Sequence, residues 1–539
     1  MRFRFRYAIV ALGLVAAAAL AQVQTGNVFG RVVDSGGEAL PGVTVTLTGV
    51  GAPQVFVTDD EGRFRFLNLS PGTYAIEAQL EGLGRVTRSN IAVNVGRTTD
   101  VDISLAPQLS ETITVTAATP LLDVRNAGTG ATVTEIELEQ VPTARDPWVI
   151  LQQTPGVLID RINVGGNESG QQSNYVGKGA GADQGTWNVD GVNITDMGAT
   201  GSSPTYYDFD MFEEMQVTTG GSDPRIQTPG VQMNLVVKRG TNELTGSGRF
   251  FATDNSWQED AVVPEEARGY LERANEIDHI DDWGLEAGGP IVRDRLWLWG
   301  SYSDQQIDLL TAAAPGVGAS FDKTTLENWN AKLNAQIVAN NSLTGLYTHG
   351  DKVKLGRSVG PGRPPETGWN QSGPTDLWKI EDTHIFTQSF YLTGLFSKVE
   401  GGFGLAPAGG LESDAWRGPD RSWHVSFIDF VTDRPQEQYR ADASAFLDVA
   451  GASHELRFGF GYRDTPVTSA TTWPGSGNWA WMIFSEGDCT SAGLDPECGW
   501  AFLQNPVAPR DYGMEYTDVY IGDTILMGDL TIQAGLRYD

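Results

Sequence analysis

The chain has 539 residues, of which 40% are apolar and 19% are charged, and this composition argues against wholesale disorder. The formal net charge of -31 at pH 7 argues against nucleic acid as a partner, because its phosphates would be repelled. The length is enough for several folded domains.

The first 21 residues predict a signal peptide. Arginines in MRFRFRY precede an apolar run from Ala8 to Ala21 that is too short for a membrane-spanning helix, which needs roughly 20 residues. The run ends in ALA, a small-residue cleavage site, so the mature chain should begin near Gln22, outside the cytoplasm. No later segment has 18 consecutive apolar residues.

Residues 22–106 predict a small all-β sandwich, because short strand-like runs alternate with turn signals. GRVVDSGGEALPGVTVTLTG and TDDEGRFRFLNLSPGTYAIEAQLEG closely resemble the carboxypeptidase regulatory-like domain, a transthyretin-like or Ig-like sandwich. The name of that domain suggests a metallopeptidase. No histidine of this chain has a glutamate three residues later, however, so neither peptidase activity nor a cofactor is expected.

Residues 107–125 predict a linker that contains one strand-like run, ETITVTA. Ile113 and Val115 alternate with threonines, which is a β-forming pattern, and Pro107 and Pro120 flank the run. No hairpin partner is apparent nearby, so we expect a strand without an internal partner.

Residues 126–240 are rich in glycine and resemble the plug domain of TonB-dependent receptors, in particular the Oar-like branch that carries a regulatory-like sandwich in front. The matching segments are WNVDGVNITD, FEEMQVTTGG and KRGTNELTGSGRFF. The resemblance implies an α+β plug lodged inside a barrel.

Residues 241–539 predict a barrel wall of about eleven strands, because apolar and polar residues alternate in AKLNAQIVA, ELRFGFGY and LTIQAGLRY. Short links such as IVRDR, FTQS and VAGAS alternate with long polar loops at 254–281, 350–375, 400–435 and 464–514. This asymmetry is typical of outer-membrane barrels. Aromatic residues in RLWLWGSY and GMEYTDVYIGD suit an interfacial girdle, with core packing as the alternative.

The expected fold is therefore mostly β: a sandwich, a plug and roughly the first half of a transmembrane antiparallel barrel. The resembled family closes 22 strands, and single-chain bacterial barrels have even strand numbers. We accordingly interpret the chain as C-terminally truncated, and alone it should not insert as a closed pore.

The linker run resembles the TonB box, by which such receptors engage TonB in the periplasm. Binding of this kind requires an extended strand with free backbone edges that adds to the sheet of a partner. The implied coupling residues are Glu111, Thr112, Ile113, Thr114, Val115, Thr116 and Ala117. The alternative is an ordinary linker strand that packs on the sandwich.

Three further features concern the predicted loops. Cys489 and Cys498 predict a local disulfide, as is usual in an exported protein. The acidic run EIDHIDD, residues 276–282, lies in the first predicted long loop and is either solvated or a calcium site. Six tryptophans of the outer loops either stack on sugar rings of a carbohydrate ligand or pack the loops together: Trp257, Trp369, Trp416, Trp473, Trp479 and Trp481.

The leading functional hypothesis is a TonB-dependent outer-membrane receptor that takes up an extracellular ligand of unknown identity. Its expected partners are TonB with its inner-membrane energising complex and outer-membrane lipid. The alternative is a non-transporting Oar-like surface protein involved in adhesion or secretion. An exported enzyme is disfavoured because no catalytic motif or catalytic domain is left over.

Overall fold

The computed structural model describes residues 24–106, 113–115, 128–141, 143–161, 163, 166–203, 205–221, 224–315, 318–419, 421–449, 451–491, 500–504, 509–528 and 530–539. The predicted signal peptide and Cys498 lie outside these residues. Within the described ranges, no helix has the length and apolar character needed to cross a membrane.

The N-terminal unit is a two-sheet sandwich. Its strands are β1 (Gly26–Asp34), β2 (Thr44–Thr48), β3 (Gln54–Val57), β4 (Arg63–Leu69), β5 (Gly72–Leu80), β6 (Gly84–Val93), β7 (Thr98–Asp100) and β8 (Ile103–Leu105). One sheet joins β4, β1, β7 and β8, and the other has the order β3-β2-β5-β6 and continues into β9 (Ile113–Val115). Alternation places residues such as Val28, Val45 and Ile76 in a core without solvent exposure.

The plug is a mixed sheet with short helices. Its elements are β10 (Thr129–Thr134), α1 (Glu135–Gln140), α2 (Pro147–Gln153), β11 (Val157–Ile159), β12 (Tyr175–Gly177), β13 (Thr186–Val189), β14 (Val192–Asn193), β15 (Phe212–Gly220) and β16 (Gln232–Val237). The main sheet has the order β10-β15-β16-β13-β14. Helix α2 begins where the Asp146 carboxylate accepts a hydrogen bond from the Val149 N–H (3.0 Å).

Seventeen further strands follow the plug along the chain, and most of them form a wall around it. They are β17 (Thr245–Asp254), β18 (Glu276–Val292), β19 (Leu296–Leu310), β20 (Phe321–Val338), β21 (Asn341–Arg357), β22 (Trp369–Ser372), β23 (Thr375–Thr387), β24 (Phe390–Pro407), β25 (Trp416–Arg417), β26 (Trp423–His424), β27 (Asp429–Asp433), β28 (Gln436–Val449), β29 (Ala452–Thr472), β30 (Trp479–Ile483), β31 (Trp500–Gln504), β32 (Arg510–Met527) and β33 (Leu530–Tyr538). Helix α3 (Glu486–Ser491) lies in the last long loop, and single 3-10 turns occupy Ala182–Gln184, Phe209–Met211, Asn255–Trp257, Glu265–Ala267 and Pro365–Thr367.

In the described residues, the wall is one antiparallel sheet of 13 strands, in which eleven long strands alternate in direction and β22 and β27 are short additions. The predicted strand count is therefore confirmed. Short turns at 293–295, 339–340 and 388–389 link consecutive long strands at one end of the wall. The pairs β28–β29 and β32–β33 are joined at the same end, which is called the turn rim. The opposite end, called the loop rim, carries the long connections, and β25, β26, β30 and β31 form a separate small sheet within them.

The alternation in the wall has the predicted sense. Lys332 and Asn334 are buried against the plug, whereas Leu333, Phe458 and Phe460 are exposed on the outer face. Aromatic rings also line this outer face, where the Tyr302 ring lies 5.2 Å from that of Trp283 and 4.3 Å from that of Trp329.

The girdle prediction was wrong for Trp297 and Trp299, which are 1% and 3% exposed and point inward. The Nε1 of Trp297 donates to Asn242 Oδ1 (2.9 Å), and the Nε1 of Trp299 donates to Glu286 Oε2 (3.2 Å). In RLWLWGSY both alternating residue sets are apolar, so the hydrophobic pattern alone does not determine which set faces outward.

Candidate coupling site at the turn rim

The centre of the ETITVTA run is a paired strand. β9 runs parallel to β6, with Ile113 in register with Val86, Thr114 with Thr87 and Val115 with Arg88. The expectation of a strand without an internal partner was therefore wrong for these three residues, and the alternative of packing on the sandwich describes them. The reason is the geometry of β6, which has β5 on one side and would otherwise be an open sheet edge. Glu111, Thr112, Thr116 and Ala117 lie outside the described residues.

The sandwich contacts the plug through the loop that follows β6. The carboxylate of Glu214 on β15 accepts hydrogen bonds from the Val95 N–H (3.3 Å) and from Asn94 Nδ2 (3.4 Å). Gln216 Nε2, also on β15, donates to the Val95 carbonyl (2.6 Å). Burial raises the pKa of the Glu214 carboxyl, although these donors oppose that shift. The strand that holds β9 is thus joined to the plug sheet by a short polar link.

The sandwich also contacts the wall at the turn rim. The ring of Phe29 on β1 meets the ring of Phe446 on β28 edge to face at 5.2 Å. Next to this contact, Asp448 pairs with Arg63 (2.9 Å) and with Arg65 (2.5 Å). The sandwich is therefore fixed on two sides, by the plug and by the wall.

A buried ion cluster fixes the plug inside the wall. Asp190, in the turn after β13, pairs through Oδ2 with Lys332 Nζ of β20 (2.6 Å) and lies 3.8 Å from Lys379 Nζ of β23. Its Oδ1 accepts from the Val237 N–H (2.9 Å), and Lys379 also pairs with Glu381 (2.8 Å). Burial alone would raise the pKa of the Asp190 carboxyl, but the two ammonium groups and the N–H outweigh it and lower that pKa.

A second ion cluster lies nearer the loop rim and corrects the interpretation of EIDHIDD. Residues 276–282 belong to β18 rather than to a loop. Asp282 pairs with Arg145 of the plug (3.2 Å) and Arg249 of β17 (3.2 Å), and both arginines also bind Asp210 (2.6 and 2.9 Å). Two arginines therefore bind Asp282 inside the molecule, and the run is part of a strand and not a solvated acidic loop.

One group of metal-ligating residue types occurs within the part of the chain that the structure describes. The ligand atoms of Asp278, His279 and Asp308 lie within 4.8 Å of one another. Lys323 pairs with Asp308, so a protein ammonium already offsets the charge of one of the two carboxylates.

Most of the outer-loop tryptophans pack on other aromatic rings. Trp473 is 4% exposed and stacks on Trp423 at 5.3 Å, while Trp416 stacks on His424 at 4.0 Å. Trp369 contacts Phe427, and Trp479 contacts Trp481. Trp257 is different, because 70% of its surface is exposed.

The described residues include only one of the two cysteines of the predicted disulfide. Cys489 lies buried in α3 and is disulfide-bonded. Cys498 lies outside the described residues, so the Cys489–Cys498 pairing stays a prediction.

Two family matches and one relative agree with this architecture. Residues 27–106 match the family described as Carboxypeptidase regulatory-like domain, and residues 123–231 match the TonB-dependent Receptor Plug Domain. The TonB-dependent transporter Oar of Myxococcus xanthus is 26% identical over 317 residues, which are 55% of this chain and 28% of that protein. The chain has the architecture of a TonB-dependent receptor.

Solved structures share the fold of this chain at low sequence identity. The outer membrane transporter YddB from Escherichia coli superposes with a TM-score of 0.58 at 12% identity, over 76% of this chain and 56% of that one. The siderophore receptor PirA from Acinetobacter baumannii superposes with a TM-score of 0.51 at 14% identity, over 79% of this chain and 58% of that one. The ferric citrate transporter FecA superposes with a TM-score of 0.52 at 13% identity, over 77% of this chain and 56% of that one. The chain thus spans little more than half the length of these structures and 28% of Oar.

Sequence reasoning missed the ion cluster around Asp190. A signal was nevertheless present, because Lys332 occupies a polar position of the alternating AKLNAQIVA strand and therefore faces inward. An inward lysine inside a plugged wall needs an acidic partner. The plug segment WNVDGVNITD supplies that partner as Asp190.

Proposed function

We propose that this receptor is an energised transporter of the outer membrane. The signal peptide would export it, the exposed apolar outer face of the wall would contact lipid, and the turn rim with the sandwich would face the periplasm. TonB, with its inner-membrane energising complex, would bind residues 111–117. The ligand would bind at the loop rim, and we assign it no chemical identity. The proposal involves no catalytic step.

One observation carries the proposal: a strand-forming segment lies directly before a plug that is held inside the wall by buried ion pairs between side chains. The first plug strand, β10, is the edge strand of the plug sheet and pairs antiparallel with β15 alone among the sheet strands. Tension from the N-terminal side would therefore start at the Thr129–Gly220 pair and separate one pair after another. Peeling an edge strand breaks its hydrogen bonds sequentially and so requires less force than breaking them together.

The test is binding of a purified periplasmic TonB domain to the full mature chain in detergent. In the test variant, Ile113→Pro with Val115→Pro, proline removes two backbone donors and prevents strand addition. In the matched control, Ile113→Thr with Val115→Thr, both donors and the β-propensity are kept. We expect binding by the parent and the control, and loss in the proline variant.

Equal binding by all three chains would place the TonB contact elsewhere. Absence of binding to any of them would favour the non-transporting surface protein. Fractionation of the full chain away from the outer membrane would contradict both forms of the proposal.

A further inference from the structure

We infer that an anion-binding site lies between the plug and wall strand β21, with the side chain of Lys352 at its base. The site would take one carboxylate or phosphate group, either as a free anion or as an acidic group of the extracellular ligand. The inference adds a charge class to the proposed function, and its link to the ligand rests on that function. The site itself can be tested without TonB.

The first observation is a buried lysine without a counter-charge. Five lysines of the described residues are more than nine-tenths buried: Lys238, Lys332, Lys352, Lys354 and Lys379. Four of them pair with carboxylates, as Lys332 does with Asp190. Lys352 is 1% exposed, and its Nζ has neither a carboxylate nor a hydrogen-bond acceptor among the described residues. A buried ammonium is costly unless it is paired, so an anion beside Lys352 would remove this cost.

The second observation is an excess of positive charge around Lys352. The charged groups that act on its ammonium are three cations, Lys354, Arg357 and Arg161 of the plug, and one carboxylate, Asp322. Asp322 is already bound by Lys354. With Lys352 included, four cations therefore share one carboxylate, in a chain whose net charge is -31. A local reversal of sign of this kind attracts anions and raises their local concentration.

The third observation is the position and the cover of Lys352. β21 leaves the turn rim at Asn341 and ends at the loop rim with Arg357, so Lys352 lies in its loop-rim half. Lys352 Nζ lies 3.9 Å from the ring centre of Tyr206, a partly exposed residue of the plug. An aromatic face attracts an ammonium, but it offsets less of the charge than a carboxylate does. The ring of Tyr206 is therefore a partner that an incoming anion can replace.

The two arginines indicate the chemistry of the anion. Guanidinium groups bind carboxylate and phosphate through paired hydrogen bonds, whereas an ammonium acts as a point charge. Arg357 donates to Gln371 Oε1 (2.7 Å), and the side chain of Arg161 has no hydrogen-bond or ion-pair partner among the described residues. Both arginines are partly exposed, so an anion that enters from the loop rim would meet Arg357 before the buried Lys352. Its binding would join the plug to β21.

The experiment is amide hydrogen exchange of plug residues 166–172 and 205–211 in the full mature chain in detergent, with inorganic phosphate added at constant ionic strength. Protection rises as 1 + [L]/Kd, so phosphate at about ten times its dissociation constant should slow exchange about tenfold. Glucose 6-phosphate is the second probe, and glucose is its uncharged control. Protection by phosphate indicates a site for a free anion, and protection by the ester only indicates an acidic group of a larger ligand. Absence of protection by both, or equal protection by glucose, overturns the inference.

Lys352→Met separates this site from a general effect of charge. The variant removes the unpaired ammonium at similar volume, so without phosphate its exchange should be about threefold slower than that of the parent, and phosphate should no longer change it. The matched control, Lys398→Met, removes an exposed lysine that pairs with Glu400 and should respond to phosphate as the parent does. Faster exchange of Lys352→Met without phosphate, or a response to phosphate equal to that of the parent, contradicts the inference.

Arg161→Gln is a second variant that breaks no hydrogen bond or ion pair of the described residues. It should leave exchange without phosphate unchanged and weaken phosphate binding about threefold or more, because one guanidinium partner is lost. Unchanged affinity in both Arg161→Gln and Lys352→Met would make phosphate an adventitious ion only. A chain that is protected by phosphate but does not bind the TonB domain refutes the proposed function alone, and the reverse result refutes this site alone.

Discussion

Replacing Asp190 tests whether ion pairing holds the plug in the wall. Asp190→Ala leaves the ammonium of Lys332 with the Val237 carbonyl (2.7 Å) as its remaining described partner, while Lys379 keeps Glu381 (2.8 Å). Removing one partner of a buried ion pair costs about 3–5 kcal/mol, because the other charge stays buried and uncompensated. At about 1.4 kcal/mol for each factor of ten, this loss corresponds to roughly 10²- to 10⁴-fold weaker protection of the plug amides against hydrogen exchange.

The assay is amide hydrogen exchange of residues 186–194 in the full chain, which reports the free energy of local opening. Asp190→Asn keeps an acceptor for the Val237 N–H but loses the charge, so its effect should be intermediate. Lys398→Ala removes an exposed ion pair with Glu400 on the wall and should leave the exchange unchanged.

A double variant separates the cost of leaving a buried charge unpaired from the cost of losing the contact itself. Lys332→Met removes the charge that Asp190→Ala would leave unpaired, so the double variant should lose less protection than Asp190→Ala alone. Protection in Asp190→Ala within threefold of the parent would refute the reasoning, as would a double variant whose losses are simply additive.

Three further predictions concern the plug, the sandwich and the loop rim. Burial raises the pKa of Glu213 to about 7 from 4.5, so its ionisation opposes folding. Glu213→Gln should therefore stabilise the plug towards urea at pH 8, by at most about 3 kcal/mol, and this gain should vanish as the pH falls to 4.5. Phe446→Ala removes the ring contact with the sandwich at a cost of about 3–5 kcal/mol, whereas Asp448→Ala breaks partly exposed pairs worth about 1 kcal/mol or less. The distribution of spin-label distances between sandwich and wall should consequently broaden in Phe446→Ala and stay unchanged in Asp448→Ala. The predicted pairing of Cys489 with Cys498 would close a short loop, which contributes about 2–3 kcal/mol. Cys489→Ser should therefore speed proteolysis within 486–504 severalfold without changing the wall.

The wall shows why much of this fold is readable in the sequence. A strand that has one polar and one apolar face repeats every two residues, so each wall strand is visible locally, and link lengths alone separate the two rims. The eleven long strands and both rims agree with that reading. The sandwich and plug carry segment patterns specific enough to resemble known families.

The contacts between distant segments could not be predicted from these local sequence patterns. Whether Trp297 faces inward depends on register, because a shift of one residue exchanges the two faces of a strand. The pairing of Asp190 with Lys332 joins the plug to a distant wall strand, and neither local pattern specifies the other.

The coupling segment shows the same division most clearly. Alternation in ETITVTA predicted a strand, since this depends only on the side chains of the run, and the structure shows one at Ile113–Val115. Its partner was decided by the tertiary structure, because β6 offers an edge only after the sandwich has folded and placed β5 on its other side.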